Sequence, residues 1–202
     1  MRDSDNVDLV ASLHPNYIGF IFHTDSPRDV SSILQKETIK NLPLDIEPVA
    51  VFVNKEIEEA LVILNQYNFK YAQLHGNESP KYCKTIKQNG FGVFKVFSID
   101  ESTNFSEMEK YLEVADYFLF DTKSPKHGGT GLKFDWDLLE QYKLSTPVLL
   151  SGGIGPNDVE LVQQALMKHP WIHGLDLNSR FEVSPGMKDI EKLRTFFEAF
   201  GR

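Results

Sequence analysis

Seven short apolar segments alternate with helix-like segments along almost the whole chain, and this alternation limits the folds that the sequence can adopt. Most of these segments are apolar throughout and rich in aromatic or β-branched residues, which is typical of strands buried on both faces of a sheet. Strands that alternate with helices at a spacing of roughly 20 to 30 residues indicate parallel βαβ units. The predicted strands cover 17–22, 49–54, 71–76, 92–99, 117–122, 147–153 and 174–179.

Helical periodicity predicts eight helices around this sheet, the first of them at the start of the chain. That first helix has no strand before it, whereas a (β/α)8 barrel begins with a strand and needs eight strands to close. The pattern therefore leaves two folds open: a doubly wound open sheet of seven strands, or a barrel whose first strand is not in this sequence. The predicted helices cover 3–14, 26–41, 56–66, 79–88, 105–114, 136–142, 156–167 and 188–200.

The length and composition of the chain limit its size class and its partners. We take residues 1–202 as one domain, because a chain of this length supports one sizeable core. The formal net charge of −8 argues against a protein that follows a nucleic-acid backbone, since that task requires a basic stripe. The acidic net charge is still compatible with a small anionic ligand, because a few backbone N–H groups can hold it. No apolar run approaches the roughly 20 residues of a membrane span, and we expect no membrane contact and a cytoplasmic location.

Polar residues interrupt the apolar segments at one end of the predicted strands, where parallel α/β folds place their functional groups. Asp121 is the clearest case, because it follows the buried run Phe118–Phe120. A carboxyl group in that place could act as a general acid with a pKa raised by burial. It could equally cap the following loop by accepting backbone N–H groups. The spacing alone favours neither interpretation.

Two glycine-containing or small-residue loops follow the last two predicted strands. In the first, Gly152 and Gly153 lie between a strand and a helix, where backbone N–H groups can approach an anion closely. The second, 176–181, ends its strand with small polar residues. Adjacent loops after the last two strands are the usual phosphate site of a (β/α)8 barrel, so the pair of loops predicts phosphate binding better than either loop does alone.

Other candidate residues are less specific. The run GGTG at 128–131 lacks the spacing of a dinucleotide fingerprint, and it is either a lid, a source of backbone donors or a plain surface loop. Arg28 could bind a substrate carboxylate in bidentate fashion, although an exposed arginine near a helix start is common. His75 could contact a ligand or bond to a neighbouring backbone group. Cys83 is the single cysteine, so no disulfide can form within one chain, and it falls in a predicted outer helix as a packed thiol. The histidines show no metal-ligand spacing, and we predict no metal and no cofactor.

Several segments together resemble the phosphoribosylanthranilate isomerase family of tryptophan biosynthesis. They are, in the family's order, IGFIF with SPRDV, VAVFVN, QLHGNE, LFDTKSPKHGGTGLKFDW, LLSGGIGPNDV and LDLNSRFEVSPGMKD. The resemblance covers nearly the whole chain, and the DT…GGTG…FDW block together with QLHG is specific. It implies a (β/α)8 TIM barrel that needs no cofactor and, as a monomer or homodimer, acts on a small phosphorylated substrate.

The resemblance also implies a reaction and residue roles. The reaction is an Amadori rearrangement, in which an acid protonates the furanose ring oxygen, the ring opens to an iminium, and a base removes the C2 proton. Asp121 takes the place of the family's acid, and Arg28 pairs with the anthranilate carboxylate. The other substrate contacts that the resemblance implies come from Gln73, His75, Gly129 and Gly131, and the phosphate contacts come from Gly152, Gly153, Asn178, Ser179 and Arg180.

The sequence departs from the family at two points. The family begins with a strand that bears a lysine-x-cysteine-glycine motif, whose cysteine is the general base, and the printed sequence contains no such motif. We therefore expect this form to be inactive or impaired, and a non-catalytic barrel that binds a phosphorylated ligand is the alternative. The second departure is Ser179-Arg180, where the family often has serine-glycine. A related barrel such as indole-glycerol-phosphate synthase is disfavoured, because Lys95 is the only lysine inside a predicted strand.

Overall fold

A computed structural model describes residues 1–122 and 135–201, and within them seven parallel strands form one sheet. Each strand is hydrogen-bonded to the next strand in the sequence, so the order along the sheet is β1 to β7. All seven strands lie within two residues of their predicted starts, which confirms the sequence-based prediction. They are β1 Tyr17–Ile21, β2 Glu47–Phe52, β3 Tyr71–Leu74, β4 Gly92–Ile99, β5 Tyr117–Thr122, β6 Val148–Leu150 and β7 Ile172–Leu175.

The strand order decides between the two folds that the sequence left open. A doubly wound sheet reverses its strand order at a switch point, whereas here every strand follows its predecessor without reversal. Aromatic side chains also meet across the inner face: the rings of Tyr17 in β1 and Phe94 in β4 are 5.1 Å apart, although two strands lie between them. Contact over that separation requires the sheet to curl. The fold is therefore that of a (β/α)8 TIM barrel, of which seven strands are present among the described residues.

Helices pack on the outer face, and three of the six α-helices in the described residues have a side-chain cap at the N-terminus. Asp3, Ser79 and Asp189 each accept a hydrogen bond from a backbone N–H in the first turn of the helix that follows, which satisfies one of the otherwise unpaired donors. No helix within the described ranges has the length and apolar character that crossing a membrane requires. The helices are α1 Ser4–Ala11, α2 Lys36–Lys40, α3 Ile57–Tyr67, α4 Pro80–Gln88, α5 Val159–Lys168 and α6 Ile190–Glu198.

Three predicted helices differ from the structure. Residues 26–35 form turns, and only Lys36–Lys40 is helical, because a bridge joins Asp29 to Ile21 at the end of β1 and the Asp29 side chain bonds to Ser31. The segments Phe105–Tyr111 and Trp136–Gln141 are 3₁₀ helices. At the start of each, an Asn or Asp side chain accepts from the N–H two residues on, a local bond that competes with a regular α-helical turn.

A short hairpin near the C-terminal end of the chain was not predicted. Its strands are β8 Glu182–Ser184 and β9 Met187–Lys188, which pair antiparallel. Asn6 of α1 fixes this hairpin, since its side chain accepts from the Lys188 N–H at 2.7 Å and donates to the Lys188 carbonyl at 3.0 Å. The hairpin thereby lies beside the carboxyl ends of the barrel strands.

Candidate functional site

One cavity of about 1210 Å³ opens along the inner face of the sheet and at the carboxyl ends of its strands. Its polar lining comes from strands that are far apart in sequence, because parallel strands bring all of their carboxyl ends to one side. Among the residues predicted for the site, those lining the cavity are Arg28, Gln73, His75, Asp121, Gly152, Gly153, Asn178 and Ser179. Arg180 is exposed on a 3₁₀ turn and is not part of this lining.

Asp121 ends the inward-facing series of β5. Side chains alternate between the faces of a strand, so Tyr117, Leu119 and Asp121 all face the cavity. Oδ1 of Asp121 accepts from the N–H of Thr122 at 2.8 Å, and Oδ2 lies 3.3 Å from Nε2 of His75. The carboxylate therefore makes the local backbone bond that the capping interpretation predicted, and it also presents its other oxygen within the cavity.

His75 connects Asp121 to Gln73. Its Nδ1 lies 3.5 Å from Nε2 of Gln73, and its Nε2 faces Asp121. A ring protonated on Nε2 can donate to Asp121 and accept from Gln73 at the same time. The side chains of Gln73 and His75 thus form one series of polar contacts with Asp121. Of the two roles that the sequence left open for His75, this contact favours the one in the cavity over a bond to the backbone.

A second carboxylate, Asp176, also lines the cavity and was named only as part of a strand end in the sequence. The hydroxyl of Ser151 donates to its Oδ2 at 2.9 Å. Burial raises the pKa of Asp176, the Ser151 hydrogen bond opposes that rise, and the nearby charge of Asp121 adds to it. The signal that could have found it is its place directly after β7, equivalent to that of Asp121 at the end of β5.

The loop after β6 has a backbone that only glycine adopts easily. Gly152 and Gly153 have φ angles of +86° and +69°, in the region that disfavours L side chains. A Cβ atom on Gly152 would lie 2.6 Å from the Thr122 nitrogen. Within the described parts of the chain, neither glycine N–H has a recorded hydrogen-bond acceptor. Two adjacent backbone donors in a loop that lines a cavity are a suitable cradle for an anion.

A largely buried ionic cluster adjoins the other side of the cavity. The Nε and Nη2 atoms of Arg28 donate to the carboxylate of Glu182, and Nζ of Lys188 lies 3.3 Å from Glu182 Oε1. Lys188 also donates to Oδ1 of Asn178 at 2.8 Å. Glu182 and Lys188 were not among the predicted site residues, because their partners are distant in the sequence.

The remaining candidates fall outside this arrangement. Gly129 and Gly131 lie outside the described residues. Cys83 is fully buried in α4 on the outer side of the sheet, away from the cavity lining, and burial raises its pKa to about 11. Over residues 1–122 and 135–201, no group of three or more His, Cys, Asp or Glu side chains is arranged to hold a metal ion. The absence of a metal and a cofactor stays a prediction.

The fold and the cavity define a (β/α)-barrel protein that carries its polar site on the carboxyl face of the sheet. A family model described as N-(5'-phosphoribosyl)anthranilate isomerase matches residues 1–199. The chain belongs to this family of tryptophan-pathway isomerases, as the sequence resemblance predicted.

Individual relatives agree with the family model. The N-(5'-phosphoribosyl)anthranilate isomerase of Parabacteroides distasonis is 42% identical over 199 residues, a match that covers 98% of this chain and 89% of the relative. The crystal structure of the Thermus thermophilus isomerase has a TM-score of 0.84 at 26% identity, over 100% of this chain and 95% of that one. A solved isomerase in complex with reduced 1-(o-carboxyphenylamino)-1-deoxyribulose 5-phosphate has a TM-score of 0.76 at 25% identity, over 100% and 96% of the two chains.

Proposed function

We propose that the cavity binds N-(5'-phosphoribosyl)anthranilate and supports its Amadori rearrangement to the 1-deoxyribulose 5-phosphate product. The observation that carries this proposal is the convergence of Asp121, Arg28 and the Gly152–Gly153 loop on one cavity in a chain of this family. In the rearrangement, the acid gives a proton to the furanose oxygen as the C1–O bond breaks. A base then takes the C2 proton, and the enolamine becomes the ketone as C1 gains a proton and the C2 hydroxyl loses one.

Asp121 is our candidate for the acid. Its side chain is only 16% exposed, and its Oδ2 lies within the cavity beside His75. Positioned proton transfer typically contributes about 10²- to 10⁴-fold to a rate. His75 supports the acid by fixing the direction of its carboxyl group and by supplying a neighbour that can donate a hydrogen bond.

The two ends of the substrate carry different anions, and the cavity offers a different kind of group to each. The guanidinium of Arg28 matches the planar carboxylate of the anthranilate ring. The Gly152 and Gly153 N–H groups, together with Asn178 and Ser179, suit the phosphate. We assign Gln73 to the sugar hydroxyls between these ends, and we retain Arg180, Gly129 and Gly131 as proposed contacts that the resemblance implies.

We propose further that residues 1–202 bind the substrate well but isomerise it slowly. The resemblance assigns the base to the cysteine of a lysine-x-cysteine-glycine strand, and Cys83 is buried in α4 with a raised pKa. In the alternative, a non-catalytic barrel that binds a phosphorylated ligand, adding the cysteine strand would restore no isomerase activity. A location in the cytoplasm fits a biosynthetic isomerase with a free buried thiol. We propose that the protein is a monomer or a homodimer, and analytical ultracentrifugation would distinguish the two states.

The test compares the 202-residue chain with a version that carries a lysine-x-cysteine-glycine strand at its amino end. The extended protein is expected to turn over the anthranilate substrate about 10²- to 10⁴-fold faster. Asp121→Asn in the extended protein should remove most of this gain, whereas Asp137→Asn, on an 83% exposed side chain, should not. An extended protein that binds substrate without turnover would support the non-catalytic alternative.

A further inference from the structure

The carboxylate of Glu182 lies behind two cations that line the cavity. Arg28 and Lys188 are both part of the cavity lining, whereas Glu182 is not. The side chains of all three are nearly inaccessible to solvent, at 13%, 10% and 4% exposed for Arg28, Lys188 and Glu182. Buried charges at this level of burial are normally paired, and here one anion pairs with both cations.

The bond to Arg28 fixes the orientation of its guanidinium. Nε donates to both Glu182 oxygens at 3.0 Å, and Nη2 donates to Oε2. Because these donors occupy the Nε–Nη2 edge of a planar group, Nη1 is directed away from Glu182, and Nη2 keeps a second N–H on the Nη1 side. No described residue accepts a hydrogen bond from Nη1 of Arg28. That end of the guanidinium is the fork that can hold a second carboxylate.

The bond to Lys188 links the same carboxylate to the phosphate loop. Glu182 and Lys188 are paired residues of the β8–β9 hairpin, and Glu182 Oε1 also accepts from the Gly186 N–H at 3.2 Å. The Lys188 ammonium in turn donates to the Leu177 carbonyl at 3.2 Å and to Oδ1 of Asn178. A continuous series of partly buried polar bonds therefore runs from Arg28 to Asn178.

We propose that Glu182 is a positioning residue that holds Arg28 and Lys188 in place, and so sets the spacing between the carboxylate end and the phosphate end of the site. This inference rests on the proposed function, in which Arg28 receives the anthranilate carboxylate. Without Glu182, two neighbouring cations would face each other with no anion between them. The result is a site that selects ligands carrying both anions at the correct separation.

The electrostatics of the trio agree with this role. Burial opposes the charge on Glu182, yet Arg28 and Lys188 together hold its pKa below the ordinary value of 4.5. Burial lowers the pKa of Lys188, and the charge of Glu182 opposes that change. The formal charge of the trio is +1, which suits an anionic ligand better than a neutral one.

The test measures calorimetrically how two ligands bind to Glu182→Gln: reduced 1-(o-carboxyphenylamino)-1-deoxyribulose 5-phosphate and its counterpart without the ring carboxylate. The loss of a charge-assisted bond predicts about 10- to 100-fold weaker binding of the carboxylated ligand. The ligand without the carboxylate should lose less than about threefold, because Lys188 keeps its bonds to the Leu177 carbonyl and to Asn178 at the phosphate end. Glu191→Gln, an 82% exposed glutamate of α6, is the matched control and should bind both ligands as the wild type does.

Other outcomes separate this inference from the proposed function. Equal losses for both ligands, or tighter binding of the carboxylated ligand by Glu182→Gln, would contradict the positioning role, because tighter binding would mean that Glu182 competes with the ligand. A wild-type protein that binds neither ligand would instead contradict the proposed function.

Two further readouts test the positioning role of Glu182. In the ligand-free protein, the Arg28 Nε–H resonance should exchange slowly with water in the wild type and rapidly in Glu182→Gln; slow exchange in both would contradict the inference. Glu182→Asp keeps the carboxylate on a shorter side chain, so it should bind the carboxylated ligand more tightly than Glu182→Gln does. Equal affinities of two folded variants would contradict the inference.

Discussion

Nε2 of His75 lies 3.3 Å from Oδ2 of Asp121, although the two residues belong to different strand ends of the barrel. Nothing in the local sequence of either residue encodes this contact. It depends on the position of the turn after β3, which carries His75. That turn is held from behind by a buried ion pair on the outer face of the sheet.

The buried pair is Lys95 with Glu78, and its loss should destabilise the protein strongly. Lys95 Nζ donates to the carbonyls of Leu74 and Gly76, which flank His75, and it lies 3.2 Å from Glu78 Oε2. The two side chains are 3% and 1% exposed. Lys95→Met leaves the Glu78 carboxylate buried without its cation, and we expect a loss of about 3 to 5 kcal/mol in the free energy of unfolding, measured by urea denaturation.

The control for this prediction is an exposed pair of the same residue types. Lys70 and Glu47 are 2.8 Å apart, and their side chains are 63% and 27% exposed. Lys70→Met should cost less than about 1 kcal/mol. Equal effects of the two methionine variants would show that burial of the Lys95 pair has no special role.

Gly152→Ala should disturb the predicted anion loop more than an equivalent change elsewhere. The new Cβ would meet the Thr122 nitrogen at 2.6 Å, in addition to the strain of a φ angle of +86°. Gly90 has a φ angle of +88°, and a Cβ there meets nothing within 4 Å. Gly90→Ala therefore isolates the φ strain, about 1 to 3 kcal/mol, and Gly152→Ala should lose more stability. Matching unfolding curves for the two variants would contradict the close approach at Thr122.

Asp176→Asn should make the protein more stable at neutral pH. Burial raises the folded-state pKa of Asp176 above its ordinary value of 3.8. Between 3.8 and the raised value the folded state binds more protons than the unfolded state, so the free energy of unfolding falls as pH rises through that window. The asparagine variant should lack this fall and exceed the wild type in stability at pH 7. The measurement is the free energy of unfolding of both proteins between pH 4 and 7. The same pH dependence in the wild type and the variant would contradict the prediction.

Cys83→Ala should leave ligand affinity unchanged. The thiol is fully buried in α4, and burial raises its pKa to about 11, so little thiolate forms at neutral pH. A disulfide reagent should therefore label Cys83 only as fast as the protein unfolds. Rapid labelling of the native protein, or weaker binding of the reduced analogue by the alanine variant, would contradict its assignment to the outer packing.

The sequence predicted the strands and their order of appearance because buried parallel strands have a strong local signal. Asp121, His75 and Gly152 were found for the same reason, since each directly follows or ends such a strand. The segment 26–35 was wrongly predicted as helix because its bridge to Ile21 is a tertiary contact. Glu182 was missed because its partner Arg28 is 154 residues away.

The most direct test of the account is a calorimetric titration of the 202-residue chain with reduced 1-(o-carboxyphenylamino)-1-deoxyribulose 5-phosphate. We predict saturable binding at one site per chain, weakened by inorganic phosphate and by Gly152→Ala, and unchanged by Gly90→Ala. No binding, or binding that phosphate and Gly152→Ala both leave unaltered, would contradict the assignment of this cavity as the substrate site.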